Sequence, residues 1–137
     1  MSGIVGGAGS KSGIIGETEL DYETGSWTPT NSNAVQSPNG TYTKIGNVVT
    51  CSFYLVSHAT SGTTGDFGGL PFTSSSELSG AANLAGSGVV AYTNNGSIQY
   101  TVKVMVSGTT WRMLQTYEHK QLNADKNMVG TLTYLAA

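Results

Sequence analysis

The sequence contains few groupings of residues that could perform chemistry. His58 and His119 are its two histidines and Cys51 is its one cysteine, and the three lie apart along the chain. A metal site or a hydrolytic triad needs such residues clustered with carboxylates, and no serine stands in a nucleophile-elbow pattern. The acidic residues after position 23 are isolated, although a glycosidase needs a pair of carboxylates. We therefore expect no enzyme, no catalytic residue, no cofactor and no metal.

The glycine-rich residues 6–12 invite comparison with a phosphate-binding loop. Such a loop requires glycine directly before its lysine and again five residues earlier, and Ser10 and Val5 occupy those positions here. The dinucleotide-binding fingerprint also fails, because Ser12 stands where its third glycine is required. The segment therefore does not predict a nucleotide site.

Charged residues are sparse and dispersed. Six basic and eight acidic residues give a net charge of −2, and the basic residues stand singly. Nucleic-acid binding relies on grouped Lys and Arg, and binding to a membrane surface relies on a polybasic patch. No stretch approaches the ~18 apolar residues of a membrane span. We expect neither a nucleic-acid partner nor membrane insertion.

The elements that would position any site are strands. The 137 residues suffice for one domain, and Gly, Thr, Val and Tyr take the share that Glu, Lys, Ala and Leu have in helical proteins. In residues 48–56 the alternation places Val49, Cys51, Phe53 and Leu55 on one face, which we expect to be the core side. Gly46-Asn47 is a two-residue turn that joins this strand to residues 41–45 in a hairpin.

The rest of the chain also has the pattern of short strands joined by turns and loops. We expect turns at Asn39-Gly40 and at residues 94–96, loops at residues 57–69 and 73–79, and an irregular stretch at residues 70–72. Further strands are expected at residues 89–92, 98–106, 110–116 and 128–135. The even-numbered residues of 98–106 share one face, as do Trp111 and Met113. Seven to nine short strands predict an all-β fold, an antiparallel β-sandwich or jelly-roll-like domain over residues 25–137.

Residues 1–24 are expected to form an extended, Gly-rich N-terminal arm. Residues 2–6 and 12–16 are near-repeats in which two β-branched residues stand between glycines, namely Ile4, Val5, Ile14 and Ile15. The arm is either a floppy tail or a segment that orders only against a partner, with these side chains in apolar grooves. The four acids in residues 17–23 project to one side of an extended chain. A solvated strand face explains them without function, and the alternatives are a cation site between symmetry-related chains or a salt contact with a basic partner.

Three segments of the chain resemble a known group of proteins. They are residues 20–29 (LDYETGSWTP), 40–50 (GTYTKIGNVVT) and 69–72 (GLPF). In this order and spacing they resemble bacteriophage virion proteins, especially small fibre and decoration proteins with a β-domain like that at the distal end of tail fibres. The resemblance covers residues 12–72, and its signature residues are Trp27, Pro29, Tyr42, Ile45, Gly46, Leu70, Pro71 and Phe72.

The resemblance implies a homotrimeric β-domain whose N-terminal arm attaches to the major capsid or tail proteins and whose outer loops face solvent. Such a protein is made in the host bacterial cytoplasm and resides on the virion surface. The chain has no shaft of heptads or repeats, which favours a capsid-decorating (cement or head-fibre) or short tail-fibre protein.

An alternative from a different class is a receptor-binding module that recognises a host surface glycan or protein. Loops rich in Tyr, Ser and Asn suit passive binding of this kind. The residues expected to contribute outer-loop contacts are His58, Tyr92, Asn94 and Asn95. A glycan-cleaving enzyme is the third and least supported reading.

Overall fold

Nine strands make up the secondary structure of the described part of the chain. The computed structural model describes residues 21–33, 35–57, 66–77, 83–94, 100–115, 118–119 and 126–137. The strands in chain order are β1 (Tyr22–Trp27), β2 (Gln36–Ile45), β3 (Val48–Val56), β4 (Asp66–Phe67), β5 (Leu84–Thr93), β6 (Tyr100–Met105), β7 (Trp111–Gln115), β8 (Glu118–His119) and β9 (Asn127–Leu135).

The strands form one antiparallel sheet in the order β1-β2-β3-β9-β5-β6-β7-β4, and β8 pairs with β7. The expected all-β, antiparallel fold is therefore confirmed. The terminal strand β9 lies in the middle of the sheet, between β3 and β5, so the fold is completed only when the last residues are in place. Within the described residues, no helix is long and apolar enough to cross a membrane.

The hairpin expected around Gly46-Asn47 is confirmed. Ile45 of β2 lies opposite Val48 of β3, which leaves a two-residue turn. Gly46 adopts a φ of 58°. A two-residue turn needs positive φ at one or both central residues, and glycine accepts it without steric cost.

The sheet curls until its two ends meet. Beyond β1, Thr30 pairs with Gly68, which follows β4 at the opposite end of the sheet. The Thr30 N–H donates to the Gly68 carbonyl over 3.1 Å, and the Gly68 N–H donates back over 2.9 Å. The Trp27 and Trp111 rings meet inside this curl, with centroids 6.3 Å apart. The curl therefore encloses one core and satisfies the backbone where the ends of the sheet meet.

The core lies on the face that the alternation predicts. Val49, Cys51, Phe53 and Leu55 of β3 are all buried, as expected. The expected inner faces of the later strands are buried as well, namely Tyr100, Val102, Val104, Trp111 and Met113. Val106 is partly buried against the core, whereas Ile98 lies outside the described residues.

Glycines inside the strands provide the room for large core side chains. A Cβ at Gly40 would lie 2.7 Å from Trp27 Cδ1 and closer still to Nε1 of the same ring, one at Gly25 would lie 2.7 Å from the Tyr42 ring, and one at Gly130 would lie 2.5 Å from the Phe53 ring. The turn expected at Asn39-Gly40 is therefore wrong. Both residues lie within β2, and Gly40 is required there because the Trp27 indole occupies the space of a side chain.

Three further sequence-based boundaries differ from the structure. The loop expected at residues 57–69 contains β4, because Phe67 stacks on Trp111 with ring centroids 4.4 Å apart. The strand expected at residues 89–92 begins earlier, at Leu84, since two glycines there pack against β9 instead of forming a loop. The boundary between arm and domain, set at residues 24 and 25, falls inside β1.

Cys51 is expected to resist thiol reagents while the protein is folded. Its side chain is fully buried, and burial raises the pKa of its thiol to about 12. The thiolate is the reactive form, so the folded chain should not be alkylated even near pH 9, the ordinary pKa of this group. Mass spectrometry after iodoacetamide treatment measures this. Ser32→Cys, at an exposed turn position, provides the reactive control; equal labelling of both thiols would contradict the placement of Cys51.

Candidate interaction surface

The domain has two distinct ends along its strands. Asp21, where residues 1–20 join the domain, lies beside the β2–β3 turn, and the Gly46 N–H donates to its carbonyl over 2.7 Å. The C-terminus reaches the same turn, because the Ala136 N–H donates to the Asn47 carbonyl over 2.7 Å. We call this end the junction pole. Asp21, the first described residue, and Ala136 therefore lie at the same end of the domain.

The opposite end, which we call the loop pole, is held by side-chain hydrogen bonds. The Lys126 N–H donates to Ser57 Oγ over 2.8 Å, and the Asn127 N–H donates to Asn94 Oδ1 over 2.8 Å. Of the expected outer-loop contacts, Tyr92 and Asn94 lie exposed toward this pole, while His58 and Asn95 are outside the described residues. Asn94 therefore has a structural role at the end of β5, and Tyr92 has an exposed ring.

One side of the sheet faces away from the core across β1, β2, β3, β9 and β5. We call this surface the outer face. None of its residues is charged, and they are Tyr22, Thr24, Ser26, Thr41, Thr43, Ile45, Val48, Thr50, Ser52, Tyr54, Ser87, Val89, Tyr92, Val129, Thr131, Thr133 and Leu135. Among the described residues of the sheet, outward-facing charges begin beyond β5, at Lys103 of β6, Arg112 of β7 and Asp66 of β4.

Strand pairing arranges the outer face in rows across the sheet. A central row of hydroxyl side chains runs through Thr24, Thr43, Thr50, Thr133 and Ser87. Two of its hydroxyls, on Thr50 and Thr133, lie 3.2 Å apart within hydrogen-bond distance. A second, mainly hydroxyl row lies beside it.

Apolar rows flank the hydroxyl rows at both poles. The row at the junction pole consists of Tyr22, Ile45, Val48 and Leu135, and the row toward the loop pole consists of Tyr54, Val129 and Tyr92. Every exposed large hydrophobic residue of the described chain lies on the outer face, with Tyr22 at 62% and Val89 at 51% exposure.

This pattern differs from that of an ordinary solvated sheet. Along the strands of an antiparallel sheet, buried apolar side chains usually alternate with polar side chains that face solvent. Many of those polar side chains are charged. Protein interfaces have few charges at their centre and are richer in tyrosine, and exposed apolar patches of several hundred Å² mark interaction sites. The outer face has no charged residue and presents the exposed tyrosines Tyr22, Tyr54 and Tyr92, and it is therefore the candidate interaction surface.

The signature residues mainly support the fold. The segment at residues 70–72 lies over one end of the core, where the Phe72 and Tyr42 rings meet edge to face at 5.3 Å. The Tyr134 hydroxyl accepts from the Phe72 N–H over 3.1 Å and donates to its carbonyl over 3.0 Å. Lys44 Nζ lies 5.6 Å from the Phe72 ring centre and also pairs with Asp21.

The remaining signature residues have similar structural roles. The Trp27 indole N–H donates to the Ser52 carbonyl over 3.1 Å, while Pro29 and Leu70 are buried. Ile45 and Gly46 stand at the β2–β3 turn, and Pro71 is partly buried. Tyr42 donates its hydroxyl to Glu23 over 2.5 Å, and this hydrogen bond raises the pKa of Tyr42. The three resembling segments thus form β1, β2, β3 and the cover of one core end.

No concentrated chemical site accompanies this surface in the described ranges. Among those residues, no group of three or more His, Cys, Asp or Glu side chains could hold a metal ion. A shallow open hollow of about 260 Å³ lies between β2 and β3, lined by uncharged residues that include Thr41, Ser52 and Tyr54. The surface can therefore offer hydroxyl hydrogen bonds and apolar contact.

Sequence reasoning did not identify the outer face, although its signal is visible. Residues 48–56 and 129–135 alternate core side chains with Thr, Ser, Tyr or Val, and no charged residue occurs in either stretch. The strand order was needed to show that these stretches are neighbours. The expected docking residues Ile4, Val5, Ile14 and Ile15 lie outside the described residues.

No protein-family model matches the chain. No curated protein matches it significantly.

Proposed function

We propose that the chain is a structural protein of a phage virion, a capsid-decorating or short tail-fibre protein. It docks on the major capsid or tail proteins by its N-terminal arm and projects a trimeric β-domain from the virion surface. The resemblance of residues 12–72 to phage fibre and decoration proteins suggests this role. A curled antiparallel sheet suits the jelly-roll-like domain that the resemblance implies.

One structural observation carries the proposal. The start of the described chain at Asp21 lies at the junction pole, whereas Tyr92 and Asn94 lie toward the loop pole. A module that attaches by an arm at one end and presents loops at the other needs this polarity. It holds the loop pole away from the particle by the length of the strands, about 30 Å for nine residues.

Removal of residues 1–16 is the experiment that tests the docking arm. We expect the shortened chain to fold and to keep the mass of the parent assembly, while its attachment to phage particles is lost. Sedimentation of particles mixed with the purified chain, followed by quantification of bound protein, measures attachment. A second variant of full length replaces Ile4, Val5, Ile14 and Ile15 by serine and should also fail to attach.

A matched control replaces Ser2, Ser10 and Ser12 by alanine and should attach as the parent does, because the apolar residues are kept. Unchanged attachment of the shortened chain would overturn the docking role of the arm.

A receptor-binding module is the second candidate. The exposed Tyr92 ring beside Val129, toward the loop pole, favours it, because tyrosine presents a rigid apolar ring with a polar tip. Binding of the isolated chain to host cells or surface glycans, with loss of binding in Tyr92→Ala, would support this candidate. Absence of binding in the parent chain would reject it.

A further inference from the structure

We infer that further copies of this chain cover the outer face, with the outer faces of the copies turned toward a common axis parallel to the strands. This inference deepens the proposed function and rests on it for the number of copies in the assembly, which is three. It assigns the assembly contact to a surface that the resemblance does not identify. The evidence for it comes from the size, the chemistry and the orientation of the outer face.

The size of the outer face suits a stable interface. Five strands at about 4.8 Å spacing and nine residues at about 3.3 Å rise give a projected area of roughly 700 Å². A standard protein interface buries about 800 Å² of accessible surface on each partner. The whole outer face therefore has close to the area that one partner buries in a standard interface, and in a closed ring each copy shares it between two neighbours.

The chemistry of the outer face selects its occupant. Nucleic acid, an anionic membrane or a charged protein patch would need opposite charges, and the outer face has none. Outward-facing charge on the described sheet begins at Lys103 and at the Arg112–Asp66 pair, outside this surface. The described surface that best complements an uncharged face is therefore the same face of another copy, with hydroxyls that both donate and accept.

The orientation of the domain selects the direction of the symmetry axis. Copies related by an axis parallel to the strands keep all their junction poles at one end, whereas a two-fold axis perpendicular to the strands would place them at opposite ends. An arm-docked protein needs every Asp21 on the particle side. A closed ring around a parallel axis meets this need and leaves no outer face uncovered. The middle strand of the outer face, β3, then lies nearest to the axis.

The test measures the mass of the full chain and of charge variants by analytical ultracentrifugation. Val129→Glu and Thr50→Glu place a carboxylate in a flanking row and in the central row of the outer face. Each should weaken association by roughly 100-fold, equivalent to about 2.7 kcal/mol, because a buried unpaired charge must be desolvated. Ser32→Glu adds the same charge at an exposed turn outside the face and should behave as the parent.

We expect the parent and the Ser32→Glu control to have the mass of a trimer. Both outer-face variants should have the mass of a single chain at the same concentration. Circular dichroism should show unchanged strand content in the single chains. A parent that stays a single chain, or outer-face variants that stay trimeric, would overturn the inference. Failure of the proposed function would appear differently, as a parent trimer that does not attach to particles.

Discussion

Gly88→Ala is expected to lower the free energy of unfolding by about 3 kcal/mol, whereas Gly108→Ala should raise it by up to about 1 kcal/mol. The two substitutions add the same methyl group to the same domain. They differ in what the added Cβ would meet. At Gly88 it would lie 2.6 Å from Leu132 Cα and closer still to the Thr131 carbonyl oxygen.

The atoms around Gly88 belong to the backbone of β9, so they cannot move aside as the end of a flexible side chain could. The β5–β9 pairing must shift to admit a methyl group, in the middle of the sheet. At Gly108 the nearest atom would be the Thr110 hydroxyl oxygen at 3.8 Å, an ordinary contact. Alanine at such a site stabilises because it restricts the unfolded chain.

Urea titration of both variants and the parent, at one protein concentration, measures the difference. Equal midpoints for Gly88→Ala and Gly108→Ala would contradict the close packing of β5 on β9. An intermediate result for Gly40→Ala is expected, because its clash is with the Trp27 side chain and not with backbone.

Trp111→Ala is expected to cost about 4 kcal/mol, a large part of the roughly 5–15 kcal/mol that stabilises a typical domain. Trp111 is fully buried and contacts aromatic side chains from three strands. Its ring stacks on Phe67 at 4.4 Å and lies 4.9 Å from Phe53 and 6.3 Å from Trp27. Its indole N–H donates to the Gly68 carbonyl over 3.3 Å, beside the pairing that closes the sheet.

Loss of Trp111 would leave a cavity where the two ends of the sheet meet. The matched control is Arg112→Ala, the next residue on the same strand, whose side chain points outward and pairs with Asp66 over 2.5 Å. Exposed ion pairs contribute at most about 1 kcal/mol, so the control should remain near the parent. Thermal unfolding of the three proteins checks the order. Equal losses in both variants would contradict a core centred on Trp111.

Strict alternation allowed part of this fold to be predicted. The β2–β3 hairpin and the buried faces of β3, β6 and β7 follow from alternating side chains and a glycine turn. In these segments the positions of the apolar residues predict which face is buried, because a two-residue periodicity places alternate side chains on opposite faces.

Glycines and distant contacts were the sources of error. A glycine in a turn and a glycine beneath an aromatic ring look alike in sequence, so the sequence predicts a turn at Gly40 and no strand at Gly86 and Gly88. The two-residue strand β4 depends on the contact between Phe67 and Trp111, which are 44 positions apart in the sequence. No local pattern contains that information.

The candidate site was hidden for a related reason. Tyr54 and Tyr92 belong to strands far apart in the sequence, and only the position of β9 between β3 and β5 places them in one row. The expected docking arm and outer loops could be named from residue types, but the outer face required the strand order. A lack of charged residues indicates an interface only when the uncharged residues are known to be neighbours on one surface.

The central claim is that the copies assemble in parallel with their outer faces together. Distances measured between copies test this claim most directly. A spin label on Asn47→Cys, exposed in the β2–β3 turn, would be read by pulsed electron paramagnetic resonance on the assembled full chain. Because Cys51 is buried, the label attaches at the new thiol alone. We predict one narrow distance below about 24 Å, the width of five strands. Distances beyond the strand length of about 30 Å, or no coupling between copies, would contradict the arrangement.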